Sequence, residues 1–311
     1  MNNYDIIIIG AGPAGMTAGI YAARAGMKVL VLESKGPGGQ VALTNTIQNY
    51  PGVGTVDGFL LGQNMWEQMT ALGVVTEFAN VDNIDFNSNP KKVVANGVTF
   101  TATSVILSMG ASAKGLGVKN EKFYVGKGLS YCAICDGMLY KNKDVVVVGG
   151  GNSAIGDALY LSNIVKHLTL IHRRDTFRAD EASVAELYKK QQENPDLIEF
   201  KLDCVVDEVL GQDKIEALRV RNIKTGNIED VKTDGVFVAI GRSPQGELIE
   251  GHINVDAQGY IITDENMATN VSGVYAAGDI VHKNLRQIAT AINDGAIAGT
   301  QASIYVKRNR S

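Results

Sequence analysis

The chain has 311 residues, 45% hydrophobic and 20% charged, with a formal net charge of -4. That length suits two domains of ordinary size, and that charge balance excludes a broad basic face for nucleic acid. The longest apolar runs, such as Ile6 to Ile9 and Val145 to Val148, fall far short of the ~20 residues that span a bilayer.

The N-terminus runs Met-Asn-Asn-Tyr-Asp straight into a strand, without the basic and apolar regions of a secretory signal, so the cytosol is the expected compartment. Asp5-Ile6-Ile7-Ile8-Ile9 reads as a strand buried on both faces. Gly10-Ala11-Gly12-Pro13-Ala14-Gly15 then reads as a glycine turn opening a helix, with Gly26 as its C-cap and Lys28 to Leu32 as a second strand. In such a βαβ unit Gly10 permits the tight turn, Gly12 lets backbone approach a pyrophosphate, and Gly15 allows close helix-to-strand packing. The pyrophosphate would sit at a helix N-terminus, where free N–H groups and the helix dipole favour negative charge. At the end of the second strand stands Glu33, where a carboxylate can accept hydrogen bonds from ribose hydroxyls.

Cys132-Ala133-Ile134-Cys135-Asp136 follows, a pair of thiols close enough to close into a disulfide and reopen, carrying two electrons. In a reducing compartment C-x-x-C is either catalytic or metal-binding. Zinc usually wants four ligands, and neither a second C-x-x-C nor a nearby C-x-x-H is present. Asp136 is either an acid beside the thiols or the N-cap of a following short helix.

Twelve positions beyond Cys132 the glycine pattern returns: Asp144-Val145-Val146-Val147-Val148 and then Gly149-Gly150-Gly151-Asn152-Ser153-Ala154, each at an offset of 139 from the first copy. His167 to Ile171 closes this second βαβ unit. The residue aligned with Glu33 opens His172-Arg173-Arg174-Asp175-Thr176-Phe177-Arg178. Guanidinium groups where the carboxylate would be suit a phosphate on the ribose 2′-oxygen, which Arg grips through a forked, charge-assisted pair. The second copy is therefore expected to prefer NADPH over NADH, and the first to take FAD or NAD. Cys204, within the strand-like alternation Phe200 to Val206, reads as a small buried hydrophobe. Near the end, Gly273-Val274-Tyr275-Ala276-Ala277-Gly278-Asp279 reads as a strand closing on a turn whose carboxylate can bind a polyhydroxyl chain such as ribitol, which favours FAD for the first copy.

With these features the chain resembles the bacterial-type, low-molecular-weight thioredoxin reductases over nearly all of its length. The likeness includes Gly38-Gly39-Gln40, Asn49-Tyr50-Pro51-Gly52, Cys132 to Gly137, His172 to Arg178, Gly241-Arg242-Ser243-Pro244 and Arg286-Gln287-Ile288-Ala289-Thr290-Ala291. It departs at Ser108-Met109-Gly110, where Ala-Thr-Gly is usual, and at Asn152 with Gly156-Asp157, where acidic residues are more usual. The resemblance implies an α/β fold of two Rossmann-like dinucleotide-binding domains, the NADPH domain inserted into a discontinuous FAD domain. The FAD domain would span 1–115 and 244–311, and the NADPH domain with the cysteine pair 116–243.

By the same resemblance FAD meets Gly10, Gly12, Pro13, Ala14, Gly15, Glu33, Gly39, Gln40, Asn49, Gly278, Asp279, Arg286, Gln287 and Ile288. NADPH meets Gly149, Gly151, Asn152, Ser153, Ala154, His172, Arg173, Arg174 and Arg178. Cys132 and Cys135 would be the redox pair, Cys135 nearer the flavin, with Asp136 managing protons. The implied activity is NADPH-driven reduction of thioredoxin through FAD and the Cys132–Cys135 disulfide, by a homodimer whose domains rotate against each other. Two rivals remain in view: a reductase of a peroxiredoxin or glutaredoxin-like protein, and a non-catalytic flavoprotein. A thiol pair argues against the second.

Overall fold

The computed structural model describes residues 2–44 and 47–310. The chain divides into two compact units, one made of 1–112 and 243–311 and the other of 113–242. Among the described residues no helix is long and apolar enough to cross a membrane.

In the first unit the strand Asn3–Ile9 lies in the middle of a seven-stranded sheet, with Val29–Glu33 parallel on one side and Val98–Leu107 parallel on the other. Val75–Phe78 extends the sheet beyond Val29–Glu33. Lys91–Ala95 and Val81–Asp85 continue antiparallel beyond Val98–Leu107, whose C-terminal half also pairs in parallel with Val274–Ala276. The apolar run of the central strand is explained by cover on both faces. Ile6 and Ile8 pack under the helices Pro13–Arg24 and Ile288–Asn309, while Ile7 and Ile9 pack with Phe86, Val93 and Phe100.

The two helices meet through small residues. A Cβ on Gly295 would stand 2.2 Å from the Ala14 carbonyl oxygen, and one on Gly299 would stand 2.5 Å from that of Ala18, so the backbones touch where side chains would separate them. The first helix ends at Gly26, with φ +81°; its N–H reaches the Ala23 carbonyl and that of Met27 reaches Ala22, the paired bonds of a left-handed helix stop.

In the second unit the strands Ile198–Lys201, His167–Ile171, Asp144–Val148, Gly235–Val238 and Leu129–Ser130 form one sheet in that order, all parallel. The helices Asn152–Leu161 and Glu181–Glu193 cover one face, burying Ala154, Ile155, Ala158, Leu161 and Leu187. The other face is covered by an antiparallel sheet of Cys204–Leu210, Ala217–Asn222 and Ile228–Lys232, which buries Cys204, Val209, Leu218 and Val220. The alternation from Phe200 to Val206 is therefore not one strand. It breaks at Asp203, with φ +54°, and the chain turns there from one sheet into the other.

Candidate functional site

In each unit the end of the first βαβ strand delivers a glycine turn to the N-terminus of a helix. Gly10 has φ +103°, and a Cβ there would stand 2.5 Å from the Ser108 carbonyl oxygen; a Cβ on Gly15 would stand 1.9 Å from the Gly10 carbonyl oxygen. Both are held to glycine by protein atoms. Gly12, the N-cap of the helix whose first residue is Pro13, faces open space instead, with nothing within 4 Å of a Cβ. That combination leaves a bare backbone cradle at a helix N-terminus, which fits the diphosphate of a dinucleotide. Ser108 buries its hydroxyl by donating to the Ile9 and Gly10 carbonyls at 2.8 and 3.0 Å.

Glu33 ends its strand with one carboxylate oxygen accepting the Ala11 N–H at 2.7 Å and the other accepting those of Lys35 at 2.8 Å and Gly36 at 3.4 Å. It thus shapes the glycine turn itself. Gly38 donates its N–H to the Ala11 carbonyl, and Gly39, with φ +55°, lies against Gly12, while Gln40 is exposed at the start of the short helical turn Val41–Leu43. On the other side of the cradle, Gly278 has φ +83° and packs on Ala14. Its N–H is held by the buried carboxylate of Asp294, which also pairs with Lys283.

Arg286 directs its guanidinium to the carbonyls of Asp279, Val281 and Lys283 and lies 3.9 Å from the Tyr260 ring centroid, so its visible work is to brace the turn that carries Asp279. Gln287 caps the helix Ile288–Asn309 through a reciprocal bond with Thr290 and accepts the Asn49 side-chain amide at 3.0 Å. Ile288 packs on Val41, Ile47 and Leu61. Glycine turn, Asp279 turn and the N-terminus of the last helix therefore converge in the first unit.

The second unit repeats the cradle. Gly149, with φ +152°, would place a Cβ 2.4 Å from the Ala239 carbonyl oxygen, whereas Gly151 faces open space and caps the helix Asn152–Leu161. Ala154 is fully buried, Ser153 is exposed, and Asn152 accepts the Asp180 N–H at 2.8 Å. His172 lies beneath Gly150, where a Cβ would stand 2.4 Å from its ring. It is buried, and its Nε2 has no hydrogen-bond partner among the described residues. Burial, together with nearby Arg178, Arg174 and Arg173, holds its pKa below the ordinary imidazole range. Arg173, Arg174 and Arg178 are exposed beside it, and the Arg178 N–H donates to Gly150. A cluster of cations next to a second bare helix N-terminus fits a nucleotide bearing an additional phosphate.

Cys132 and Cys135 form a disulfide, with Cα atoms 5.3 Å apart. Cys132 caps the short helix Ala133–Asp136, and its Sγ accepts the Cys135 N–H at 3.2 Å. The Asp136 side chain makes no capping bond to the turn after it. Its Oδ2 instead accepts the Ser130 hydroxyl at 2.6 Å, and burial pushes its carboxyl pKa up while that hydroxyl opposes the rise. A further buried carboxylate, Glu121, accepts the N–H groups of Leu116 and Gly117 and the hydroxyl of Tyr131, the residue before Cys132.

Glu121, Ser130, Lys283 and Asp294 escape sequence reasoning because each is polar without a motif, whereas Ser108 stands out in the sequence only as a departure from the expected pattern.

The model of the pyridine nucleotide-disulphide oxidoreductase family matches residues 4–295. A thioredoxin reductase from Peptoclostridium acidaminophilum is 40% identical over 315 residues, covering 99% of this chain and 98% of that one. A 34.2 kDa protein in a rubredoxin operon of Clostridium pasteurianum is likewise 40% identical, with 97% of each chain covered. Among solved structures, thioredoxin reductase from Streptococcus pyogenes superposes with a TM-score of 0.91 at 38% identity, covering 99% of both chains. The chain therefore belongs to the pyridine nucleotide-disulphide oxidoreductase family, among its thioredoxin reductases.

Proposed function

We propose that this protein is an NADPH-dependent thioredoxin-disulfide reductase, with FAD in the first unit and NADPH in the second. The observation that carries the reading is the Cys132–Cys135 disulfide beside the half-buried acid Asp136, in a chain with two dinucleotide cradles of different charge.

Gly10, Gly12, Pro13, Ala14 and Gly15 would hold the FAD diphosphate, Glu33 the ribose, Asp279 the ribitol, and Gly39, Gln40, Asn49, Arg286, Gln287 and Ile288 would complete that site. Gly149, Gly151, Asn152, Ser153 and Ala154 would hold the NADPH diphosphate, and Arg173, Arg174 and Arg178 its 2′-phosphate. His172 supports them as a neutral ring, since burial disfavours its charged form. When bound, the two cofactors supply hydride and electron-pair chemistry between NADPH and sulfur.

Two electrons break the Cys132–Cys135 bond and, with two protons, leave two thiols. One, as thiolate, attacks a sulfur of the thioredoxin disulfide and expels the other thioredoxin sulfur. The second thiol of this protein then resolves the mixed disulfide, restoring the Cys132–Cys135 bond and releasing a dithiol. Asp136, favoured in its protonated form by burial, is placed to hold or yield the proton that these thiolate steps require. Chemistry of this kind suits the reducing cytoplasm, and the same reading includes a homodimer.

Anaerobic titration with NADPH and then NADH, followed by oxidised thioredoxin, tests the proposal. Preferential bleaching by NADPH and reoxidation by thioredoxin are expected, with the bleaching kept and the reoxidation by thioredoxin lost on Cys132→Ser or Cys135→Ser. Bleaching without reoxidation by thioredoxin, but with reoxidation by a peroxiredoxin or glutaredoxin-like protein, would move the acceptor. A colourless protein unable to take up FAD would remove the reading altogether.

A further inference from the structure

The hydroxyl of Ser130 stands at the junction of the redox pair and its acid. Ser130 is 5% exposed at the end of the strand Leu129–Ser130, and Cys132 follows two residues later. Its Oγ donates to Asp136 Oδ2 at 2.6 Å and accepts the Cys132 N–H at 3.0 Å. A second acceptor for the same proton, the Cys132 carbonyl, lies 3.4 Å away. That carbonyl also accepts the Asp136 N–H at 3.1 Å, closing the loop.

We propose that Ser130 is a positioning residue for the redox pair: its hydroxyl aims the Asp136 carboxyl and passes the protonation state of Asp136 to the Cys132 main chain. The inference rests on Asp136 acting as the acid of the proposed reaction.

A serine hydroxyl has one proton and two acceptor lone pairs. With Asp136 ionised, the proton points at the carboxylate and one lone pair holds the Cys132 N–H. When Asp136 takes a proton, its own O–H donates to Ser130 Oγ. The serine proton then turns to the Cys132 carbonyl, so Ser130 grips both the N–H and the C=O of Cys132. One proton enters the site and no bond between heavy atoms changes. The other titratable groups beside Asp136 are the cysteine thiols once reduced and Tyr140, whose hydroxyl is kept protonated first by burial and then by Asp136 and Asp234; the Tyr160 ring packs on the neighbouring Gly137. Tyr131 is directed away, to Glu121.

A hydrogen bond to a carboxylate favours its charged form, so removing this one lets Asp136 hold its proton to higher pH. The test is the pH profile of kcat for thioredoxin reduction by the FAD-loaded enzyme, together with the pH dependence of the ultraviolet thiolate absorbance of the dithiothreitol-reduced protein. In Ser130→Ala the limb that Asp136→Asn abolishes is expected to move up by about one pH unit, the size of one charge-assisted hydrogen bond. Ser130→Thr keeps the limb in place, and Ser130→Ala combined with Asp136→Asn behaves as Asp136→Asn alone. Should the alanine variant fold poorly, Ser130→Val against Ser130→Thr compares side chains of equal shape with and without the hydroxyl. A limb unmoved in Ser130→Ala or Ser130→Val, while Asp136→Asn abolishes it, overturns the role of Ser130. A profile unchanged by Asp136→Asn overturns the role of Asp136 and this inference with it.

Discussion

The carboxylate of Asp294 accepts the backbone N–H of Gly278 at 3.0 Å, which ties the C-terminal helix to the turn that carries Asp279. The same carboxylate pairs with Lys283, whose side chain is only 14% exposed. Asp294→Ala removes the oxygen that accepts from both and leaves a mostly buried ammonium unpaired, a loss of about 3–5 kcal/mol when a pair of this kind is broken. The turn would lose its fixed position, so flavin release should be faster as well as unfolding easier. Asp294→Asn retains an acceptor for Gly278 and should lose less. Thermal unfolding monitored by flavin fluorescence separates the two, and equal melting and equal flavin retention in all three proteins would show the tie to be idle.

The glycine turn makes two opposite predictions within four residues. Gly15→Ala places a Cβ 1.9 Å from the Gly10 carbonyl oxygen, which no rotamer relieves, so the first unit should be destabilised by about 1–3 kcal/mol or more through overpacking. Gly12→Ala meets no protein atom and keeps φ at -75°, so the fold should persist while the diphosphate loses its close approach. Circular dichroism melting and FAD content, measured on both, should diverge: a folded, flavin-poor Gly12→Ala and a less stable Gly15→Ala. A flavin-replete Gly12→Ala would place the diphosphate elsewhere.

Much of this architecture is legible in the chain because parallel strands covered on both faces must read as unbroken apolar runs, and a strand that turns at once into a helix needs glycine. Ile6 to Ile9 and Val145 to Val148 satisfy the first condition, Gly10 and Gly149 the second. What lies beyond motif and period is less visible. Phe200 to Val206 alternates like one strand, yet the positive φ of Asp203 breaks it, since an aspartate can take the left-handed conformation without a sequence signature. Arg286 carries a motif but directs its guanidinium to three carbonyls of its own turn, and Glu33 gives both oxygens to backbone N–H groups. Ser130 and Asp136 are six residues apart, and only the fold of the loop between them shows that they touch.

Arg173, Arg174 and Arg178 are exposed, so they carry little of the fold, and their substitution should act on nucleotide choice alone. Each charge-assisted hydrogen bond to a phosphate contributes about 1.5–3 kcal/mol, which is roughly a tenfold to hundredfold change in affinity. Arg173→Ala with Arg174→Ala should therefore raise KM for NADPH by at least tenfold and leave KM for NADH and the melting temperature almost unchanged. Equal losses for both nucleotides would mean that the arginines do not read the 2′-phosphate.

Asp157, on the helix Asn152–Leu161, supplies a pH-dependent stability that can be separated from activity. Burial raises its pKa from 3.8 to about 6, with Arg242 opposing the rise, so the native state favours the neutral acid. The unfolded chain releases that proton near pH 4 and the folded chain near pH 6, so the unfolded state binds fewer protons between those values. Stability contributed by this group is thus fully present below about pH 4 and is lost as pH rises through about 6. A rise of this size corresponds to a destabilisation on the order of 3 kcal/mol above pH 7. Asp157→Asn carries the neutral shape at every pH. It should match the parent in urea unfolding at pH 4 and exceed it by about 1–3 kcal/mol at pH 7.5, the lower figure applying if Arg242 loses a partner it needs. A variant less stable than the parent at pH 7.5 would mean that the attraction to Arg242 outweighs the burial of the charge, and that Asp157 is ionised in the native protein at neutral pH.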